Sequence, residues 1–114
     1  MSEILIPTGL FTFFADGSIA DEVVMLSEVP DAAELSIPLG RILNGPFRHV
    51  VIRPAGEDKR DMFVREDAEG MPVNEKATRM YRNMLMAGTR QTDRDSLPSV
   101  YGTAVVASRK LWVG

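Results

Sequence analysis

The arginine residues are the side chains of this sequence best suited to binding chemistry. Arginine outnumbers lysine ten to three in the 114 residues, and its planar guanidinium group binds phosphate and carboxylate groups through paired hydrogen bonds. Two aromatic residues in the C-terminal part of the chain offer rings on which a base could stack. The candidate ligand-binding residues are Arg41, Arg48, Arg79, Arg82, Arg90, Tyr101 and Trp112.

The acidic residues are concentrated at the N-terminal end. Residues 1–35 contain seven Asp or Glu residues and no Lys or Arg, whereas the net charge of the whole chain is only -3. There are three interpretations of this segment: it forms ion pairs with the basic C-terminal part, it is only solvated, or it creates an electrostatic field that steers a partner. Under the last interpretation, the candidate partner-binding residues are Asp16, Asp21, Glu22 and Glu28.

The sequence motifs of common catalytic and metal sites are not found. Gly40 and Gly45 have the spacing of a phosphate-binding loop, but Pro46 and Phe47 stand where that loop needs Lys and Ser or Thr. A chain with no cysteine and one histidine, His49, does not offer the ligands of a structural zinc site. We therefore predict no catalytic residue, no metal and no cofactor, and expect a protein that is not an enzyme.

Two further groups of titratable residues are expected to have structural or solvated positions. His49 alternates with Phe47 and Val51 along a β-rich segment, which favours a packed or half-exposed histidine. The acidic residues that follow lack the spacing of a calcium loop and are interpreted as solvated turns. These residues are Asp58, Asp61, Glu66, Asp67 and Glu69.

Length and composition predict a single domain over residues 1–114, with an acidic N-terminal part over residues 1–34. The N-terminus has neither the basic nor the long apolar region of a signal peptide, and no apolar run is long enough to span a membrane. The expected location is the cytoplasm. The pI of about 5.1 argues against a nucleic-acid partner.

The elements that must position these residues are predicted as a mainly antiparallel sheet with one short and one long helix, which is an α+β fold. Strands are expected at residues 3–7, in a hairpin turning at Asp16-Gly17, and in a second hairpin formed by residues 47–54 and 61–66. Residues 100–108 and 110–113 are predicted as two closing strands.

Ser36 is predicted to be the N-cap of the short helix, with Pro38 in its first turn, and the helix is predicted to end at Gly45-Pro46. The long helix is predicted to begin after Asn74, to run over residues 75–87 and to end at Gly88.

One side of the long helix has apolar residues at helical spacing, which is typical of packing against a core. This side contains Ala77, Met80, Tyr81, Met84, Leu85 and Gly88. The opposite side contains Glu75, Arg79, Arg82 and Met86, and is either an interface or only solvated.

The order of motifs over residues 35–107 resembles a family of small domains of unknown function found in phages and mobile elements. The resemblance lies in an acidic turn ending at Gly70, a helix start Pro-x-Asn-x-x-Ala-Thr over residues 72–78, and a Gly-x-Ala-Val-Val strand over residues 102–106. It implies a viral or plasmid accessory protein, which is expected in the host cytoplasm if it is encoded by a phage. The resemblance brings no known activity.

A phage-type protein without catalytic residues is expected to bind a ligand or a host protein. The first hypothesis is an anti-defence protein that sequesters a small anionic, nucleotide-like ligand between the subunits of a homo-oligomer, since one small chain offers little concavity. The second is an inhibitor that binds a host defence or nucleic-acid enzyme through the acidic N-terminal surface. The third is a small enzyme, and the remaining alternative is an accessory domain with no defence role.

Overall fold

A computed structural model of the protein describes residues 4–52, 59–68, 70–86 and 98–111. The chain forms five strands and two helices within these ranges. In chain order they are β1 (Leu5–Phe13), β2 (Ile19–Ser27), α1 (Ala32–Leu43), β3 (Phe47–Ile52), β4 (Arg60–Arg65), α2 (Glu75–Met86) and β5 (Ala104–Ala107).

The five strands form one antiparallel sheet in the order β2-β1-β5-β4-β3. The short strand β5 lies in the centre and joins the β1–β2 hairpin to the β3–β4 hairpin. The predicted α+β fold with a mainly antiparallel sheet is therefore confirmed.

The two helices cover opposite faces of this sheet, because successive residues of a strand point to opposite sides. Helix α1 packs on the face that includes Leu10, Phe63 and Val105. Helix α2 packs on the other face, over Met62 and Val106. Side chains of both faces are buried along β4 and β5, which explains why "MFV" and "AVVA" are continuous apolar runs.

The N-cap of helix α1 lies five residues earlier than predicted. Asp31, and not Ser36, is the N-cap, because its carboxylate accepts a hydrogen bond of 2.8 Å from the backbone N–H of Glu34. Pro38 consequently lies inside the helix and not in its first turn. The helix ends at Asn44, which adopts a left-handed conformation with φ of 57° and donates its N–H to the carbonyl of Gly40.

Two strand predictions also differ from the structure. The predicted strand at residues 3–7 and the first hairpin strand are one continuous strand, β1. Pro7 lies in the part of β1 that does not pair with β5, so the absence of its N–H removes no hydrogen bond between these two strands. The last predicted strand is not formed at Lys110 and Leu111, since the N–H of Leu111 donates to the side chain of Asp61 instead. Residues 112–113 of that strand lie outside the described residues.

Candidate functional site

Asn74 fixes the start of α2 and connects it to the end of β1 and to the turn before β5. Its side-chain Oδ1 accepts the N–H of Ala77, which confirms the predicted N-cap. Its Nδ2 donates to the carbonyls of Phe13 and Gly102, at 2.8 and 2.9 Å. All polar atoms of this buried amide are therefore bonded, and the helix is held at a defined place on the sheet. The predicted end at Gly88 lies outside the described residues.

The segment that precedes β5 is held against the same helix. The hydroxyl of Thr78 accepts the N–H of Val100 at 2.8 Å, and Val100 O accepts the N–H of Asn74 at 2.7 Å. Tyr101 forms a single antiparallel bridge with Val73. These contacts place Ser99, Val100 and Tyr101 along one side of α2.

A cleft of about 450 Å³ lies between this segment, α2 and the β3–β4 hairpin. We call it the Arg48 cleft. The apolar side chains of Val50 and Val64 contribute to its lining, as do Tyr81 of α2 and the half-exposed Tyr101. The remaining lining residues are Arg48, Arg65, Glu66, Ala68, Pro98, Ser99 and Val100. Although the sequence suggested little concavity in one chain, a single chain forms this cleft.

The two arginines of the cleft differ in their partners. Arg65 donates two hydrogen bonds of 2.9 Å to the carboxylate of Asp67. These bonds lower the pKa of Asp67 below its ordinary value. Arg48 is exposed and makes no hydrogen bond or ion pair with any residue that the structure describes. Of the two arginines among the described residues that line the cleft, Arg48 is thus the one whose guanidinium donors are available to an anion.

A second cleft, of about 420 Å³, continues along the outer side of α2. It shares Ser99 with the Arg48 cleft, and its other lining residues are Val73, Glu75, Thr78, Arg79 and Arg82. Arg82 donates to the Ser99 hydroxyl at 3.0 Å, which orients that hydroxyl at the junction of the clefts. Arg79 is exposed and has no partner in the described part of the chain, and it forms no ion pair with Glu75 one turn before it.

The structure brings four of the seven candidate ligand-binding residues together. Arg48, Arg79, Arg82 and Tyr101 line the two adjoining clefts. Arg41 does not join them, because it lies on α1, across the sheet, where its guanidinium group forms a 2.7 Å ion pair with Glu22. Arg90 and Trp112 lie outside the described residues.

The four acidic residues proposed for partner binding have different environments. The carboxylate of Asp16 accepts the N–H and the hydroxyl of Ser18 within the hairpin loop, and these bonds lower its pKa. Glu22 is paired with Arg41. The side chains of Asp21 and Glu28 make no ion pair with residues in the described ranges. Of these four residues, only Asp21 and Glu28 have no internal partner among the described residues.

Sequence reasoning placed Asp61 wrongly in a solvated turn. Asp61 is a buried residue of β4, and one carboxylate oxygen lies 2.6 Å from Nε2 of His49. The other oxygen accepts the N–H of Leu111 at 2.6 Å. The ring of His49 also contacts that of Phe63, with centroids 5.3 Å apart, so the histidine is packed as predicted. These contacts give the pair a clear structural role.

The cleft residues that sequence reasoning missed are Tyr81, Ser99 and Arg65. Tyr81 was assigned to the core side of α2, and it does pack there, but it also lines the cleft. Ser99 lies at the end of a polar segment in which apolar residues show neither helical nor strand spacing. Among the described residues, no group of three or more His, Asp or Glu side chains is arranged to hold a metal ion, and neither helix is long and apolar enough to cross a membrane.

Comparisons with known proteins add no family to this description. The family of phage and mobile-element domains suggested by the sequence motifs therefore stays a prediction. No protein-family model, no curated protein and no solved structure matches this chain.

Proposed function

We propose that this protein binds a small anionic, nucleotide-like ligand in the Arg48 cleft and does not convert it. The observation on which the proposal depends is the guanidinium group of Arg48, which has no internal partner among the described residues and lines a cleft with apolar walls. A charged donor beside apolar surface binds an anion more strongly than the same donor in open water, because the local dielectric is lower.

The shape and composition of the cleft support a ligand larger than a simple ion. Its volume of about 450 Å³ lies within the range of small-molecule sites, roughly 300–1,000 Å³. Tyr81 and Tyr101 supply aromatic surface for a planar group, and Val50 and Val64 supply apolar surface. A phosphate group bound by Arg48 and a base in contact with a tyrosine ring would use both features.

The second cleft extends the proposed site. Arg79, which also lacks an internal partner among the described residues, lines this neighbouring cleft, and the Ser99 hydroxyl lies where the two clefts meet. A ligand with two separated phosphate groups would place one group at each arginine. We therefore expect dinucleotides, whose phosphate groups are separated, to bind more tightly than mononucleotides.

The biological role in this proposal is sequestration of a nucleotide signal during counter-defence, which assumes the phage origin that the sequence motifs predict. The alternative is a host enzyme bound through the acidic N-terminal surface. It is supported by fewer groups, since of its four candidate residues only Asp21 and Glu28 have neither an ion pair nor a side-chain hydrogen bond with the described residues. Pull-down from host lysate with an Asp21→Ser, Glu28→Ser variant tests it, because loss of a specific partner is expected only under this alternative.

A thermal-shift panel tests ligand binding. The ligands are inorganic phosphate, mononucleotides, nucleoside triphosphates and cyclic dinucleotides. A ligand present at one hundred times its dissociation constant stabilises the folded state by about 2.7 kcal/mol, which corresponds to an increase of roughly 10 °C in Tm for a domain of this size.

The matched variants are Arg48→Met and Arg41→Met. Each removes one exposed arginine, but only Arg48 lines the cleft. We expect the shift to disappear in Arg48→Met and to persist in Arg41→Met. A flat response of the wild-type protein across the panel contradicts the proposal.

A further inference from the structure

Among the described residues that line the Arg48 cleft, Glu66 carries the only carboxylate, and binding of an anion does not use it. The backbone of Glu66 is fixed, because its N–H donates to the carbonyl of Pro46 at 3.0 Å and extends the pairing of β3 with β4 by one residue. Its side chain is exposed and makes no hydrogen bond or ion pair with the described residues. The carboxylate of the next residue, Asp67, is already bonded to Arg65. Glu66 therefore presents a carboxylate without such a partner to the cleft.

The strand register places Glu66 beside Arg48. Arg48 lies directly opposite Val64, and Glu66 is two residues further along the chain than Val64. Residues two apart in an extended segment point to the same face of a sheet. Here that face is the one covered by α2, since Val64 belongs to the same buried cluster as Ala77. Diagonal neighbours of this kind are separated by roughly 7–8 Å, so the cleft offers one cation and one carboxylate side by side.

These two opposite charges limit what the cleft can bind. A ligand with negative charge along its whole length, such as a polyphosphate, is attracted by Arg48 but repelled by Glu66. An ionised carboxylate only accepts hydrogen bonds, so the ligand must present donors to it. A suitable ligand is therefore anionic at one end and carries N–H donors at the other. A planar group between these ends can contact the rings of Tyr81 and Tyr101.

Guanine is the common nucleobase whose edge meets this requirement. Its N1–H and its 2-amino group are adjacent donors that point in the same direction, and the two oxygens of one carboxylate accept both. Adenine and cytosine each present one amino group beside a ring nitrogen that is an acceptor, and uracil presents one N–H between two carbonyl oxygens. An acceptor placed opposite a carboxylate leaves both groups without a donor, which is unfavourable. These three bases therefore match Glu66 less well than guanine does.

We propose that the Arg48 cleft binds a guanine nucleotide, with Glu66 bound to the N1–H and the 2-amino group of the base and Arg48 bound to a phosphate group. This inference rests on the proposed ligand site, and it adds the identity of the base and the residue that selects it. Tyr81 and Tyr101 contact the base but do not distinguish guanine from other bases, because every base has a planar face. The specificity is thus assigned to a single carboxylate.

Titration calorimetry with the monophosphates of guanosine, inosine, adenosine, cytidine and uridine compares the bases while the phosphate group stays the same. Inosine lacks only the 2-amino group of guanosine, so the two nucleotides differ by one hydrogen bond to a charged acceptor. We expect guanosine monophosphate to bind roughly 10- to 100-fold more tightly than inosine monophosphate. Adenosine monophosphate has an acceptor at N1 and is expected to bind more weakly than inosine monophosphate.

A Glu66→Gln variant tests whether this carboxylate selects the base. The amide has one acceptor oxygen in place of two, so guanosine and inosine monophosphates should bind this variant with similar affinity. The variant also removes the negative charge beside Arg48, so inorganic diphosphate should bind it more tightly than the wild-type protein. The matched control is Glu28→Gln, which removes an exposed carboxylate that lines neither cleft and should keep the wild-type preference. Circular dichroism establishes that both variants are folded.

The possible results separate this inference from the ligand site on which it rests. Similar affinity of the wild-type protein for all five nucleotides overturns the selection of guanine and leaves a nucleotide site in the Arg48 cleft. A preference for guanine that persists in Glu66→Gln also overturns the inference, because another group then binds the edge of the base. If none of the nucleotides binds, the proposed nucleotide site is contradicted as well.

Discussion

The amide of Asn74 offers the sharpest test of how the fold positions the site. Asn74 is 1% exposed, and its side chain makes three hydrogen bonds that join α2, the end of β1 and the turn before β5. Replacement by alanine removes the helix cap, which costs about 1 kcal/mol. It also leaves the carbonyls of Phe13 and Gly102 without this donor, at about 1–3 kcal/mol each. We expect a total loss of about 4 kcal/mol.

Two further substitutions at the same position separate these contributions. Asn74→Ser keeps an acceptor for the N–H of Ala77 and loses both donors, so it is expected to be about 1 kcal/mol more stable than Asn74→Ala. Asn74→Asp keeps the acceptor but turns a carboxylate toward two carbonyl oxygens. It is therefore expected to be at least as destabilising as the alanine variant.

Equilibrium unfolding in urea measures these differences, because at an unchanged m-value the shift of the urea midpoint reports the change in free energy of unfolding. A loss of 4 kcal/mol is a large part of the roughly 5–15 kcal/mol by which domains are stable. The reasoning is refuted if Asn74→Asp is as stable as the wild-type protein, or if Asn74→Ala costs less than the cap alone.

Three other substitutions test separate parts of the account. Arg109→Met removes hydrogen bonds to the Thr8 hydroxyl and the carbonyls of residues 27 and 28 and should cost about 2 kcal/mol in urea unfolding. Gly102→Ala should lower the free energy of unfolding by about 1–2 kcal/mol, because φ is 78° there and a new Cβ would lie 2.7 Å from Sδ of Met71. Adding Met71→Ala removes the steric contact, so it should recover only that part of the loss. Asp67→Asn removes the anionic partner of Arg65 in the Arg48 cleft, so titration calorimetry should show tighter binding of an anionic ligand; unchanged or weaker binding would place the ligand elsewhere.

The antiparallel sheet and α2 were predictable because their signals are local. Asn74 begins the helix as its sequence position indicates, and apolar residues at helical spacing mark its buried side. The start of α1 was not predictable in the same way. Both Asp31 and Ser36 are good capping residues, and Pro38 favours a first-turn position, so the local preferences pointed to the wrong one.

The candidate site was predictable only in part, because a cleft depends on contacts between residues distant in sequence. Arginine at 48, 79 and 82 could be selected by chemistry alone, and the fold places these residues beside two adjoining clefts. No local pattern distinguishes Arg41 from these three arginines, although Arg41 lies on the other side of the sheet and forms an ion pair with Glu22. The burial of Asp61 was equally hidden, because its partners are on β3 and in the C-terminal segment.

The most direct test of ligand binding is the dissociation constant of the best ligand from the thermal-shift panel. Titration calorimetry is carried out on the wild-type protein, Arg48→Met and Arg41→Met under the same salt conditions. A hydrogen-bonded ion pair contributes about 1.5–3 kcal/mol, so Arg48→Met should weaken binding by roughly 10- to 100-fold. Arg41→Met should bind as the wild-type protein does. Equal affinity of all three proteins, or a loss confined to Arg41→Met, would contradict a ligand site in the Arg48 cleft.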